Sequence, residues 1–259
     1  MIRLLKAGLF RLKKDILFWI FIFLTIGLAI LTLVRYVPIE GITLDSALNE
    51  FLIYIGLFIA IFVSIFVGKE HSQGIIRNKI IVGHSRFSIF LANLIICIIV
   101  SLLCELIYLA IIFLVGTPLL GQLQMTLSQF IGILVNTIFI IISFCSIYNF
   151  VTMLCSEITI STTICIILFI AMFIAQGAFS LTAHSSKYIE NAFYDENGNK
   201  HIISQEIDPN YPGDQKVKTA KIIYLSIPQG QAMEIKNNNL DSLQQMTIYS
   251  IILIVIINI

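Results

Sequence analysis

Residues 68–86 read GKEHSQGIIRNKIIVGHSR and form a short charged segment between two long apolar ones. This segment, called the connector below, carries Lys69, Arg77, Lys79 and Arg86, whereas residues 51–67 before it and 87–115 after it are predominantly apolar. Long apolar segments separated by charged connectors are typical of a polytopic membrane protein. The connector is therefore predicted to be a water-exposed segment between two membrane-spanning helices.

The composition supports the same fold class. Hydrophobic residues make up 58% of the chain and charged residues only 12%, with a mean hydropathy of +0.95, whereas soluble domains carry about 25% charged residues. A net charge of +1, without a basic and aromatic cluster, gives no indication of nucleic-acid binding. The five cysteines lie in or beside apolar segments without CxxC spacing, which indicates packing residues and not disulfides or metal ligands. The prediction is an all-α polytopic membrane protein.

Six segments approach the length of about 20 mostly apolar residues that a membrane-spanning helix needs. They are residues 16–34, 51–67, 87–115, 130–153, 158–179 and 246–259. The sixth segment is too short to cross a bilayer of about 30 Å at 1.5 Å per residue. Either its helix begins further back, near Leu240, or the sequence ends inside the helix.

Residues 1–15 predict a helix lying in the membrane interface. Its apolar positions, Ile2, Leu5, Leu9, Leu12 and Ile16, share one face. The predicted interface anchors are its basic side chains and one aromatic residue: Arg3, Lys6, Arg11, Lys13, Lys14 and Trp19. The alternative is a signal peptide, but its charged part would be long and the apolar run lacks a small-residue cleavage site.

Basic residues set the orientation. Five of them precede the first span and four lie in the connector, whereas the loop after the first span has only Arg35 against Glu40, Asp45 and Glu50. The N-terminus, the connector and residues 154–157 are therefore predicted to be cytoplasmic. With this orientation, residues 181–245 are predicted to be an external segment, with turn-rich stretches at 195–200 and 208–214. Residues 220–233 are more apolar and predict a short helix at the outer leaflet.

Within the connector, capping residues predict a short amphipathic helix. Ser72 is placed to cap its start, Gly83 to end it, and Ser85 to cap the next helix. Its interior has one predicted face formed by Ile75, Ile76, Lys79 and Ile80. Two interpretations remain open: a solvated loop held at the headgroups by basic residues, or a docking helix for a cytoplasmic subunit.

The connector resembles a segment of the type-2 ATP-binding-cassette (ABC) permeases. In that family, a glutamate, a small residue and a glycine precede a basic helix, and a glycine-x-serine-arginine turn follows it; here these positions are Glu70, Ser72, Gly74, Arg77, Lys79, Gly83, Ser85 and Arg86. The resemblance implies a coupling helix at residues 68–86 that docks on an ATPase subunit, and an elbow helix at residues 1–15. The implied ATPase-coupling residues are Glu70, Ser72, Gly74, Ile75, Ile76, Arg77, Lys79, Ile80, Gly83 and Arg86, with Glu157 as a second contact.

The sequence has no GxxxxGK[ST] phosphate loop, so it is not expected to hydrolyse ATP by that mechanism. The resemblance implies two copies of a separate ATPase subunit, which hold ATP and Mg, and a second permease chain. It further implies a bacterial plasma-membrane exporter of amphipathic substrates, namely antimicrobial peptides, lantibiotics or drugs. The stretch IPQGQAME at 227–234 is also similar to the region before the last span of small exporters in this family.

Single polar residues add further candidates. Glu105 lies inside the third span, where an ionisable group indicates either a substrate contact or a hydrogen bond to a neighbouring span near Asn136 or Ser143. Glu157 begins the fifth span as a helix cap and dipole partner, or as the second ATPase contact. His71 and His84 have no metal-ligand spacing, and no metal site is predicted. Two alternative functions remain open for this sequence: an ion-coupled secondary transporter and a non-transporting scaffold or sensor.

Overall fold

The computed structural model describes residues 1–39, 43–194 and 200–258. Among these residues, six helices are long and apolar enough to cross a membrane: Ile16–Tyr36, Leu44–Ser72, Arg86–Leu120, Leu127–Leu154, Ile158–Ala183 and Leu240–Asn258. Their length and composition confirm the prediction of a helical, polytopic membrane architecture. The elements in chain order are α1 (Ile2–Lys14), α2 (Ile16–Tyr36), α3 (Leu44–Leu48), α4 (Phe51–Ser72), α5 (Ile75–Ile81), α6 (Arg86–Ile111), a π-helical turn (Ile112–Gly116), α7 (Thr117–Leu120), α8 (Leu127–Leu154), α9 (Ile158–Ala183), β1 (Tyr188–Tyr194), β2 (Lys200–Ile207), α10 (Asp214–Ser226), α11 (Pro228–Lys236), a 3₁₀ turn (Leu240–Ser242) and α12 (Leu243–Asn258).

The helices run between two ends of one bundle. At the connector end, α1, α5 and the α8–α9 junction lie together, and Lys69 Nζ contacts Asp15 Oδ1 at 3.0 Å. At the other end, called the hairpin end because the β1–β2 hairpin follows α9 there, Asn49 after α3 donates to the Ile235 carbonyl of α11 at 3.3 Å, and Tyr36 Oη donates to Glu50 Oε2 at 2.9 Å. Helix α4 is central, since it packs against α2, α6, α8, α9 and α11.

The first residues of the connector do not have the structure that was predicted for them. Helix α4 continues through Lys69 and Glu70 to Ser72, because both charged side chains have partners on the neighbouring elements. Ser72 Oγ donates to the Lys69 carbonyl at 3.3 Å, so Ser72 does not cap α5, which follows Gly74 at a left-handed φ of 69°. The other end follows the prediction: Ser85 Oγ accepts from the Ser88 N–H at 3.2 Å and caps α6.

The buried face of α1 overlaps the predicted one at Leu5, Leu9 and Leu12 but is turned towards Leu4 and Gly8. Its buried stripe is Leu4, Gly8 and Leu12, whereas Ile2 and Ile16 are 71% and 73% exposed. Gly8 allows α1 to approach α6, because a Cβ at this position would lie 2.2 Å from the Ile96 Cδ1. The shifted face brings the Arg11 side chain, which was predicted to face lipid headgroups, towards the inside of the bundle.

The segment between α9 and α12 contains a β-hairpin that was predicted as a polar loop. Strands β1 and β2 pair antiparallel, with an irregularity at Asn191/Ala192. Aromatic and β-branched residues in YIENAFY and KHIISQEI favour strands despite their charges. The turn predicted at 195–200 lies, apart from its last residue, outside the described residues. The second predicted turn is present, since Asn210 N–H donates to Asp208 Oδ1 at 2.8 Å.

The apolar stretch predicted as one surface helix is a pair of helices that returns into the bundle. Pro228 begins the second helix, α11, which is buried against α4, α8 and α9. Gly230 is required there, because a Cβ would lie 2.0 Å from the Tyr224 carbonyl oxygen of α10. After α11, the turn Leu240–Ser242 leads directly into α12, so the last spanning-length helix begins near Leu240, as the first alternative stated.

Candidate functional site

A buried carboxylate organises the connector end. Glu70 is 1% exposed, and its Oε1 accepts from Arg11 Nη1 at 2.7 Å and from Lys79 Nζ at 2.5 Å. Its Oε2 accepts from Asn93 Nδ2 at 2.8 Å. A buried charge is tolerated when it is paired and hydrogen-bonded, and both conditions hold here. These four residues, called the Glu70 cluster below, join α1, α4, α5 and α6.

Two further contacts strengthen the attachment of α1. The Arg11 guanidinium lies 4.1 Å from the centre of the Phe66 ring, in the geometry of a cation–π contact. Both carboxylate oxygens of Asp15 lie 3.0 Å from Lys69 Nζ. Helix α1 is therefore held to the end of α4 by charge at two successive positions, in addition to its packing against α6.

Three residues with predicted roles at the surface, Glu70, Lys79 and Arg11, are joined to one another in the Glu70 cluster. Glu70 is fully covered by this chain's own side chains, so it cannot contact a second protein directly, and Lys79 is turned towards it with a side chain only 16% exposed. Arg11 was predicted as a lipid anchor, but its charge is neutralised inside the bundle. These residues fix the position of α5; they do not form its surface.

The exposed surface at this end lies on the other side of α5. Arg77, Ile80, Ile81 and Arg86 are exposed, and they border a cleft of about 490 Å³ whose lining has no carboxylate. The cleft is lined by His71, Gly74, Ile76, Arg77, Ile80, Ile81, Arg86, Ile89 and Met153. Because its walls combine apolar and basic side chains, the cleft is suited to an amphipathic, acidic surface.

The other predicted coupling residues have mixed positions. Ile76 is buried against Leu4, Ile89 and Ala92, and Ile75 is half-buried, so both hold α5 to the bundle. Gly74 and Gly83 provide the left-handed backbone at the two ends of α5, with φ of 69° and 97°.

Glu157 lies exposed at the N-cap of α9. Its side chain makes no capping hydrogen bond, while its carbonyl accepts from the Ser161 N–H at 3.1 Å. The predicted side-chain cap is therefore not formed.

The remaining predicted interface anchors lie on the surface. Arg3, Lys6, Lys13 and Lys14 are exposed on α1. Trp19 is 50% exposed, and its Nε1–H donates to the Lys13 carbonyl at 3.2 Å, which ties the ring to the junction of α1 and α2.

Glu105 is buried in α6 without the support that Glu70 has. It is 6% exposed, and its Oε2 has no hydrogen-bond partner in the described part of the chain. The predicted partners on α8 are engaged elsewhere: Asn136 Oδ1 accepts from Thr247, and Ser143 Oγ donates to the Phe139 carbonyl. The predicted structural bond to these residues is therefore absent, and Glu105 stays a candidate for contact with a substrate or an ion.

One polar pair was not predicted. His184, directly after α9, places Nε2 3.0 Å from Oε2 of Glu234 in α11, although the two residues are 50 positions apart. The Tyr224 ring lies edge-on to the His184 ring at 5.4 Å. Burial, and then the nearby Glu234 carboxylate, raise the pKa of Tyr224 above its ordinary value. A signal was present in the sequence, since Glu234 is the single charged residue of IPQGQAME.

Among the described residues, no group of three or more His, Cys, Asp or Glu side chains could hold a metal ion. All five cysteines are free. Comparisons of the chain with family models, with curated proteins and with solved structures yield no match. These comparisons therefore assign the chain to no family.

Proposed function

We propose that the chain is the membrane-spanning permease subunit of an ATP-driven ABC exporter in a bacterial plasma membrane. Its substrate is amphipathic, such as an antimicrobial peptide, a lantibiotic or a drug. The observation that carries the proposal is the Glu70 cluster, which couples a short exposed helix, α5, to two spanning-length helices and to α1. A helix that only linked two spans would not need a buried, fully paired carboxylate at its base.

In this proposal the connector end faces the cytoplasm, with α1 as the elbow helix and α5 as the coupling helix. Two copies of an ATPase subunit bind ATP and Mg, and each docks on the surface formed by Arg77, Ile80 and Ile81 of α5 together with Arg86 at the start of α6. Glu157 supplies a smaller contact nearby. Because the Glu70 cluster joins α5 to α4 and α6, a displacement of α5 also moves those two helices.

Alternating access then requires two states that ATP stabilises to different degrees. A second permease chain completes the pathway. The spanning-length helices with the least covered surface in this chain are Ile158–Ala183 and Leu240–Asn258, and then Ile16–Tyr36. These helices supply the surfaces for lipid and for the second chain.

The test is a search of the neighbouring genes for an ATPase subunit and co-purification of the chain with that subunit, followed by variants of the docking surface. Arg77→Glu and Ile81→Asp are expected to weaken binding of the ATPase at least about tenfold, the effect of losing about 1.4 kcal/mol. Lys6→Glu is the matched control, because Lys6 is also basic, exposed and at the connector end. Unchanged binding in both α5 variants would contradict the docking surface.

One observation favours a second candidate, an ion-coupled secondary transporter. Glu105 has an unpartnered buried carboxyl oxygen, and ionisable groups inside membrane helices commonly mark ion or substrate pathways. The two candidates separate in vesicles that contain this chain alone: transport driven by an ion gradient without an ATPase would favour the second. In either case Glu105→Gln is expected to lower transport without lowering the amount of assembled protein.

A further inference from the structure

The His184–Glu234 pair has a hydrogen-bond pattern that fixes the position of its protons. His184 Nδ1 lies 3.0 Å from the Ser180 carbonyl oxygen. A carbonyl oxygen only accepts hydrogen bonds, so Nδ1 must carry a hydrogen. The other ring nitrogen, Nε2, lies 3.0 Å from Glu234 Oε2. Without a proton between them, a nitrogen lone pair would face a carboxylate lone pair at hydrogen-bond distance.

We infer that His184 and Glu234 form a proton-binding site, which fastens α11 to the end of α9 while the proton is bound. The proton gives either an imidazolium paired with a carboxylate or a neutral imidazole that accepts from a carboxylic acid. Glu234 is 3% exposed, so water cannot replace the partner when the proton is lost. The ligand of the site is the proton itself.

Among the described residues, no lysine or arginine is bonded to either member of the pair, and Lys187, three residues after His184, contacts Asp214 instead. From α10 the facing titratable groups are Tyr224, whose ring lies edge-on to His184 and whose hydroxyl lies near the Glu234 carboxylate, and the exposed Lys216, which borders Thr182 at the end of α9. From α4 the groups at this end are Tyr54 and Glu50, and Glu50 is bonded to Arg35 and Tyr36. Helix α8 has no charged residue at all.

The remaining polar attachments of α11 do not depend on pH. Gln229 Nε2 donates to the Ile53 carbonyl at 3.2 Å, and Gln231 Nε2 donates to the Leu225 carbonyl at 2.7 Å. Only the His184–Glu234 contact needs an exchangeable proton. A proton held by the folded state stabilises it at low pH, and this stabilisation is lost as the pH rises. Alkaline conditions therefore loosen the last turn of α11 from α9.

Glu234→Gln separates a proton site from a merely structural contact. The glutamine amide can donate to Nε2 of a neutral His184, so the variant keeps the bond at every pH. The apparent unfolding temperature of the full chain in lipid nanodiscs is measured at about pH 6 and about pH 9, on either side of the ordinary histidine range. The difference in apparent unfolding temperature, Glu234→Gln minus wild type, is expected to be about 2–4 °C larger at about pH 9 than at about pH 6. Asp241→Asn, which removes an exposed acid from the same segment, is expected to show no such change.

An offset between wild type and Glu234→Gln that is the same at both pH values would overturn the inference, because a structural contact would be weakened equally throughout. If the variant does not fold, the wild-type chain with ¹⁵N-labelled histidines gives a second measurement on its four imidazoles. At about pH 7 one imidazole is expected to share a proton at Nε2 while Nδ1 is protonated. A free Nε2 lone pair on every histidine would also overturn the inference.

Discussion

Two buried glutamates, Glu70 at the connector end and Glu234 at the hairpin end, have their charges compensated in different ways. At the connector end, Glu70 is paired with Arg11 and Lys79 and also accepts from Asn93. At the hairpin end, Glu234 faces His184. Arginine and lysine are charged at every physiological pH, whereas histidine changes its charge within that range. Glu70 is therefore paired at every physiological pH, whereas the contact between Glu234 and His184 is conditional.

The permanent pairing of Glu70 agrees with the role that we propose for the connector end. A coupling helix must transmit displacement at all times, so a permanent ionic cluster suits the base of α5. Glu105, between the two ends, has one carboxyl oxygen with no described partner, and it is the least compensated of the three.

The largest effect is expected from Glu70→Gln. The substitution leaves Arg11 and Lys79 facing a neutral amide, and removal of one partner from a buried ionic cluster typically costs about 3–5 kcal/mol. The lower part of that range is expected here, because Arg11 retains a side chain 27% exposed to solvent. The measurement is the free energy of unfolding in mild detergent, at two pH values within the neutral range. The loss should be equal at both, in contrast with Glu234→Gln.

Glu157→Gln is the matched control for Glu70→Gln. Glu157 is an acid at the same end of the bundle, but it is exposed and makes no side-chain cap, so its replacement is expected to change stability by less than about 0.5 kcal/mol. Equal effects of the two substitutions would contradict the role of Glu70 as the centre of the connector end.

An intermediate effect is expected from Gly230→Ala, which tests the shape of the hairpin end instead of its charge. The new methyl group would meet the Tyr224 carbonyl, which belongs to the backbone and cannot rotate away. Overpacking usually costs about 1–3 kcal/mol, and the upper part of this range is expected.

Gly8→Ala is the comparison at the connector end. Its methyl group would meet the flexible end of the Ile96 side chain, so the cost should be smaller. Thermal unfolding in lipid nanodiscs measures which of the two variants loses more stability. A larger loss for Gly8→Ala than for Gly230→Ala would contradict this packing argument.

The smallest effect is expected from Asp214, which lies at the exposed start of α10. A hydrogen bond from Tyr211, at 2.7 Å, and then the charge of Lys187 lower the pKa of Asp214. A carboxyl whose pKa is lower in the folded state contributes stability above its unfolded pKa of about 3.9, and this contribution is lost as the pH falls through the folded value. This dependence has the opposite sign to that of the His184–Glu234 site. In Asp214→Asn, the small decrease in stability that accompanies acidification should be absent, and stability at alkaline pH should be unchanged.

The sequence predicted the local features at the connector end better than the contacts among them. Ser85 caps α6 and Gly83 follows α5 with a left-handed backbone, because both features depend on residues within one or two turns. The prediction for α1 was right in part: Leu12 belongs to both the predicted and the buried stripe, but the buried stripe is rotated by about a quarter of a turn, towards Leu4 and Gly8. The close approach of Gly8 to Ile96 decides between them, and residue 8 carries no hydrophobic signal of its own.

The sequence by itself determined the six apolar helices and the charged connector, since length, hydropathy and caps are properties of neighbouring residues. The tertiary structure alone decided which charges are buried and what they meet. Arg11 reaches Glu70 across 59 positions, and His184 reaches Glu234 across 50. The return of α11 into the bundle was also decided there, because its glutamines find acceptors on α4, α10 and α12. No local pattern encodes such pairs, since their stability arises only when distant segments exclude water from the same place.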